Sequence, residues 1–298
     1  MARNPSHYAL PFRLLGPLAA ARVQQSSYGA RVFYNTLLAP PSSPHRSFKY
    51  GVIALEDLQT DLRAWESLYI AGRMHKPIRV LSPGPAPLGI RQAAQCNIAA
   101  ATSAALLTLP ARFSETELYL AAARLSYAGD VRMTFGAEVA DKVHDIVRAN
   151  LVHFRGLYDA ALSDMPVSRS DSGIWERRMG RAGQLDLIQR LPQRVVQGAS
   201  SVLLGGLPRT TDRAELSSAL SERDAAQLRS ALLTTVSAIV FRASVSQSVK
   251  GLLTAGLGTS VRYVTAKFSK ALGARRRVLS SVQRRVTGGS FRESSSLP

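Results

Sequence analysis

The sequence predicts an α/β unit, then a mostly helical domain, then a basic amphipathic C-terminal helix. Three observations carry this. Residues 28–81 set β-branched and aromatic runs on either side of one amphipathic helical run. From 88 to 256 the apolar residues recur mainly at steps of three and four. Beyond 257 an apolar stripe is interleaved with basic residues, and no acidic residue occurs before Glu293. The divisions fall at 1–82, at 88–256 with an irregular insert over 163–183, and at 257–298.

Pro11 to about Gln24 reads as a helix with Leu14, Leu15, Leu18 and Val23 on its apolar side. Tyr28 to Leu38 and Phe48 to Ile53 read as strands, joined by a proline-rich loop. Leu55, Leu58, Leu62 and Trp65 step along one helical face, with Glu56 and Asp57 in the first turn, where the helix dipole favours acids. Asp61 reads with them as part of an ordinary charge cluster on that helix. Ser82 to Pro87 is a Pro/Gly break between domains. Ala93 to Leu109 is a helix that stops at Pro110. Ser114 and Glu117 form a capping box that opens another helix. Val131 to Phe135 reads as a short strand, and Val139, Val143, Ile146 and Val147 as a helical face. Leu151 to Leu162 adds a helix, and the polar stretch Ser163 to Gly183 reads as a surface hairpin. Pro192 to Leu204 is helical, Asp212 and Glu215 open a short helix, and Leu228, Leu232, Val236 and Ile239 form a helical stripe. Ser244 to Thr254 is one further helix.

A chain of 298 residues holds two domains, or one with an appendage. Its formal charge of +18 calls for an anionic partner: nucleic acid, an acidic membrane or phosphate substrates. Cys96 is the only cysteine, which excludes an intramolecular disulfide and a cysteine metal site and favours a reducing compartment. No apolar run approaches the roughly 18–20 residues that span a bilayer. The first residues carry no signal-peptide core or clear presequence, and nothing signals an oligomeric state.

The chemistry-bearing stretch is Trp65 to Pro77. Leu68 to Ala71 reads as a strand ending at Gly72, and Ile78 to Leu81 as the returning strand. Arg73, His75 and Lys76 stand at the bend between them. Arg offers a planar fork of donors and Lys a mobile point charge, a combination suited to phosphate. A solvated basic turn has the same letters. His7, His45, His144 and His153 show no metal-ligand spacing.

In the tail, Val261, Val264, Phe268, Leu272, Leu279, Val282 and Val286 share a helical face. Arg262, Lys267, Lys270, Arg275, Arg276 and Arg277 lie between them, and no acidic residue occurs from Ala225 to Arg292. That pattern predicts a helix lying in an anionic membrane surface, where each basic residue contributes on the order of 1 kcal/mol. A packed helix with a solvated basic face is the alternative. Nucleic acid is the least favoured partner, because no recognition motif accompanies the few aromatics.

Several blocks share an unusual wording. Ser6-His7-Tyr8, Leu15-Gly16-Pro17, Tyr28-Gly29, Tyr34-Asn35-Thr36-Leu37 and Lys49-Tyr50-Gly51-Val52-Ile53 precede the basic bend. Leu125-Ser126-Tyr127, Gly129-Asp130, Arg132-Met133, His153-Phe154-Arg155 and Leu157-Tyr158 follow it, and Ser246, Lys250-Gly251 and Thr254-Ala255-Gly256 stand near the end. The series, from about residue 4 to about 286, resembles the mitochondrial CDP-diacylglycerol synthases of the translocator assembly and maintenance family.

That resemblance implies a nucleotidyltransferase-like α/β unit followed by a winged-helix-like domain. It implies transfer of a cytidylyl group from CTP to phosphatidate, giving CDP-diacylglycerol for cardiolipin synthesis. The implied setting is peripheral, on the matrix face of the mitochondrial inner membrane. It also implies Mg²⁺ held by an Asp-x-Asp pair, since Mg²⁺ prefers oxygen ligands. This sequence contains no Asp-x-Asp, and the resemblance places that element upstream of the Ser-His-Tyr block. The expectation is therefore an incomplete copy of the enzyme, with a lipid-binding, non-catalytic protein as the alternative. Arg73, His75 and Lys76 become candidates for triphosphate or phosphatidate contacts. Tyr127, Asp130 and Arg132 become candidates for the cleft, where an ion-paired turn is the alternative, and Lys250 for headgroup contact.

Overall fold

The computed structural model of the chain describes residues 28–38, 48–81, 87–130, 139–177, 180–208 and 210–255, with Leu14, Gly16, Arg22 and Ser26 besides. In chain order these form β1 (Phe33–Leu38), β2 (Phe48–Val52), α1 (Leu55–Ala64), α2 (Ala71–Met74), α3 (Leu88–Thr108), β3 (Arg112–Phe113), α4 (Glu115–Arg124), α5 (Val139–Ala149) and α6 (Leu151–Ser163). They continue with β4 (Val167–Arg169), β5 (Trp175–Arg177), α7 (Arg181–Gln189), α8 (Gln193–Leu204), α9 (Arg213–Ser221) and α10 (Ala225–Ala255). The described chain is mixed α/β and mostly helical. β1 and β2 pair antiparallel, with Phe33 opposite Val52 and Leu38 opposite Phe48. The second sheet is antiparallel in the order β3-β5-β4, so Ser163 to Gly183 does contain a hairpin.

α3 is the axis of the core. Its last turns, Ala100 to Leu107, are buried on every side, and alanine and serine let neighbouring helices approach closely. α1, α4, α6, α7 and α10 all pack against it. Arg177 of β5 reaches in to donate to the carbonyls of Leu106 and Leu109, supplying donors that the C-terminus of α3 lacks. α10 lies along α8 and α3, burying Leu228, Leu232, Val236 and Ile239 as their spacing predicts. Among the described residues its Ala225–Lys250 stretch is long and apolar enough to cross a membrane, contrary to the expectation that no such run exists. Half of that stretch is buried inside the protein, the pattern of a core helix.

Local signals hold where a helix end is written in polar residues. Ser114 Oγ accepts from the Glu117 N–H at 3.2 Å, while Glu117 Oε2 accepts from the Ser114 N–H at 2.7 Å. Asp212 Oδ1 likewise accepts from the Glu215 N–H at 2.8 Å.

The stretch from Trp65 to Leu81 departs from the expected strand, turn and strand. Trp65 and Leu68 adopt left-handed backbone with φ of 51° and 54°, and Ala71–Met74 is a single helical turn. The cause is Asp61, which is buried. Its Oδ1 accepts from the N–H and hydroxyl of Ser67 and from the Leu68 N–H. Its Oδ2 accepts from the N–H groups of Ile70 and Ala71. Five donors on one carboxylate fold the segment back onto α1, and no β ladder competes with them. Asp61 is thus an internal clamp, not part of a solvated charge cluster.

Pro11 to Gln24 lies outside the described residues except at isolated positions, and the expected strand Val131 to Phe135 lies wholly outside them. So does the tail from 256 to 298, with Val261, Arg262, Val264, Lys267, Phe268, Lys270, Leu272, Arg275, Arg276 and Arg277.

Asp61→Asn keeps the shape of the clamp but turns an amide N–H₂ toward backbone donors. A loss of about 3 kcal/mol is expected in urea unfolding, as when a buried charged acceptor is removed from its donors. A loss below about 0.5 kcal/mol would reject the clamp.

Candidate functional site

His75 follows α2 and is fully buried. Its Nε2–H donates to Asn97 Oδ1 at 3.1 Å, an oxygen that also accepts from Trp65 Nε1 at 2.8 Å. Asn97 Nδ2 in turn donates to the Ala71 carbonyl, and the Tyr158 hydroxyl to the His75 carbonyl at 2.8 Å. Burial first, and the Lys76 ammonium second, push the imidazole pKa down to about 3, with the Asn97 hydrogen bond opposing. The neutral, enclosed imidazole joins α2 to α3, and the His75 carbonyl joins it to α6.

Lys76 is buried as well. Its ammonium donates to the Gly72 carbonyl at 2.6 Å, to Ser126 Oγ at 2.8 Å and to the Ala123 carbonyl at 3.5 Å. It also sits 4.9 Å from the centre of the Tyr127 ring. Burial pulls its pKa down to about 7, with the charges of Arg73 and Lys142 adding to the effect. Gly72 allows this approach, since a Cβ there would stand 2.2 Å from the Ser126 Cβ. Arg73 on α2 is exposed.

The structure therefore brings Arg73, Lys76 and Tyr127 together where α2 meets the end of α4, and Asp130 follows, its N–H donating to the Tyr127 carbonyl at 3.2 Å. Asp130 is buried one residue after Gly129, whose φ of +75° and closeness to the Ser237 carbonyl leave no room for a Cβ. Arg132 lies outside the described residues.

Lys250 belongs to a different place. It is buried near the end of α10, and its Nζ donates to the Tyr28 carbonyl at 3.3 Å. Burial lowers its pKa, against the attraction of Asp57. Beside it, Gln247 Oε1 accepts from the Ala30 N–H at 3.0 Å and Nε2 donates to the Val32 carbonyl at 3.2 Å. The two side chains bind residues 28–32 to α10, where Gly29, at φ +83°, has no space for a side chain.

This docking leaves a cleft of about 230 Å³ between residues 29–31, α1, Glu66–Ser67, the start of α8 and the middle of α10. Arg31, Arg194 and Arg242 line it, with Asp57, Asp61 and Glu66. Arg31 contacts Asp57 at 2.8 Å and Glu66 at 3.9 Å. Sequence reading named none of these residues as a site. They come from four separated segments, and no local spacing links them.

Among the described residues no group of three or more His, Cys, Asp or Glu is placed to hold a metal ion. Asp61 is saturated by backbone donors, and Asp57 and Glu66 face Arg31. These residues do not fit the Mg²⁺ site that the resemblance implies.

Comparison with known proteins places the chain in the class of nucleotidyltransferases. A family model described as mitochondrial phosphatidate cytidylyltransferase matches residues 1–270. The mitochondrial phosphatidate cytidylyltransferase of Xenopus laevis is 39% identical over 278 residues, covering 92% of this chain and 79% of the relative. That of Danio rerio is 39% identical over 272 residues, covering 91% and 78%. That of Schizosaccharomyces pombe is 31% identical over 284 residues, covering 91% and 70%. The chain belongs to the mitochondrial phosphatidate cytidylyltransferase family.

The two buried bases give the stability a pH dependence. Unfolded, Lys76 holds its proton below about 10.5 and His75 below about 6.5. Folded, they do so only below about 7 and about 3. Within each interval the unfolded chain binds more protons, so stability rises with pH there and is lost as pH falls. Lys76→Met removes the upper interval. Wild type should gain on the variant by about 1 kcal/mol per unit from pH 7 upward, and hold a constant difference between about pH 4 and 6. Urea titrations that give a flat difference above pH 7 would refute the assignment.

Proposed function

We propose that the chain catalyses cytidylyl transfer from CTP to phosphatidate, giving CDP-diacylglycerol and pyrophosphate. One observation carries this: the family model spans residues 1–270, and relatives named for that activity align over about nine-tenths of the chain. In the reaction a phosphate oxygen of phosphatidate attacks the α-phosphorus of CTP. The new P–O bond forms as the bond to the β-phosphate breaks, and pyrophosphate leaves with the electron pair. An arginine-lined cleft supports a reaction in which both substrates and both products carry phosphate.

The finer architecture belongs to the same reading. The two-stranded β1–β2 sheet with α1 is the portion of a nucleotidyltransferase-like unit lying in the described residues. The order α3, β3, α4, then α5 and α6, then the β4–β5 hairpin, with the strands arranged β3-β5-β4, supports a winged-helix-like second domain. The expected Mg²⁺ has no ligand set among the described residues, and no step is routed through it. The product feeds cardiolipin synthesis at the matrix face of the mitochondrial inner membrane, where the protein sits peripherally. The tail, acid-free as far as Arg292, supports that attachment with its apolar stripe.

The activity is tested with the full chain, CTP and phosphatidate vesicles. CDP-diacylglycerol and pyrophosphate are expected in equal amounts, and pyrophosphate without the lipid product would sink the reading. For attachment, Arg275, Arg276 and Arg277 are changed to Glu in the full chain. Co-sedimentation with vesicles rich in anionic lipid should fall at least ten-fold, while zwitterionic vesicles bind neither form. Equal sedimentation of both forms with anionic vesicles would remove the tail from the account.

A further inference from the structure

The cleft holds two guanidinium groups that the fold itself does not use. Arg194 comes from the first turn of α8 and Arg242 from α10, two helices packed side by side, and both line the recess. Arg31, the third arginine there, is occupied by Asp57 and Glu66. The Arg194 and Arg242 side chains make no hydrogen bond or ion pair with any described residue. The third carboxylate, Asp61, is committed to five donors in the neighbouring turn.

Both side chains are solvent-exposed, and two like charges lining one concavity repel each other. An anion between them turns the repulsion into attraction, and a guanidinium fork matches phosphate oxygens two at a time. α8 adds to this. It starts after Pro192 with no side-chain cap, and Arg194 stands in its first turn, at the positive end of the helix dipole. Size narrows the ligand further. A volume of about 230 Å³ is below the roughly 300–1,000 Å³ of sites that enclose a whole small molecule. It accepts the phosphate-bearing end of a ligand whose remainder lies outside.

We propose that Arg194 and Arg242 form a clamp for a phosphate-bearing anion, namely the triphosphate of CTP or the phosphomonoester headgroup of phosphatidate. The identity of the anion rests on the cytidylyltransferase reading; the existence of the clamp does not. The lining also explains why Arg31 is held aside by two carboxylates. With Arg31 neutralised, the recess presents the two arginines from its α8 and α10 walls.

The test uses the full chain with Arg194→Gln, Arg242→Gln and the double variant, and Arg229→Gln as a control. Arg229 is exposed on α10 and outside the cleft. Inorganic pyrophosphate is titrated by calorimetry, and the KM for CTP and for phosphatidate vesicles is measured separately. Unfolding midpoints confirm that each variant folds. The double variant should bind pyrophosphate at least ten-fold more weakly than wild type or the control. A rise confined to the KM for CTP identifies the triphosphate, and one confined to phosphatidate identifies the headgroup. Pyrophosphate affinity equal to that of the control, with both KM values unchanged, overturns the clamp and leaves the activity reading intact. An inactive wild type removes the activity reading, and the pyrophosphate titration still decides the clamp.

Discussion

The Asp61 carboxylate is the constraint from which the rest of the described structure follows. It accepts from the backbone of Ser67, Leu68, Ile70 and Ala71 and from one hydroxyl, and so decides the path of the chain leaving α1. That path needs left-handed backbone at Trp65 and Leu68, positions where a side chain makes it costly. The carboxylate repays the strain with charge-assisted hydrogen bonds. With the turn set, α2 points its C-terminal end into the core, and His75 and Lys76 have no path to solvent. His75 then meets Asn97, which Trp65 also binds, so the clamp is communicated to α3 through a shared oxygen.

A second tie acts at the other end of the chain. Gln247 and Lys250 bind the backbone of residues 28–32 across more than two hundred positions of sequence. Strand β1 is therefore carried by α10 as well as by β2. The cleft exists because these two ties hold different segments apart. α1 and the Asp61 turn make one wall, residues 29–31 the edge, and α8 with α10 the other wall. Gly29 is required at the edge because a side chain there would collide with Gln247 and Lys250.

Much of the helical order was legible from the chain alone, and the reason is local. The Ser114–Glu117 and Asp212–Glu215 caps are satisfied by residues three apart, so no distant partner can alter them. The α10 stripe and the arrest of α3 before Pro110 rest on periodicity and on a missing N–H, both written in the sequence. The basic bend was misread because its letters suit an exposed turn equally well. Arg73 is exposed as a turn residue should be, yet its neighbours two and three places on are enclosed. Only the tertiary acceptors of Lys76 decide between these states, and two of them lie about fifty residues away. The cleft was hidden for a related reason. Arg194 and Arg242 belong to helices whose registers are fixed by apolar residues on their other faces, so their convergence is a property of packing.

The arginines themselves show where charge has consequences in so basic a chain. Lys and Arg number 38 against 20 acidic residues, so many cations have no carboxylate available. Arg155 pairs with Glu115, Arg181 with Glu222 and Arg190 with Asp186, all at the surface, where such pairs contribute little. Other cations are satisfied internally by carbonyls, as Arg177 is at the end of α3 and Lys76 beside Gly72. An unpaired cation on a convex surface needs no explanation, because water and salt screen it within about 10 Å. Arg194 and Arg242 differ in lining one recess, where the field of each adds to that of the other. A surplus of positive charge spread over the molecule attracts anions without choosing among them. A recess that concentrates two of those charges, and admits only a phosphate-sized end, supplies the choice.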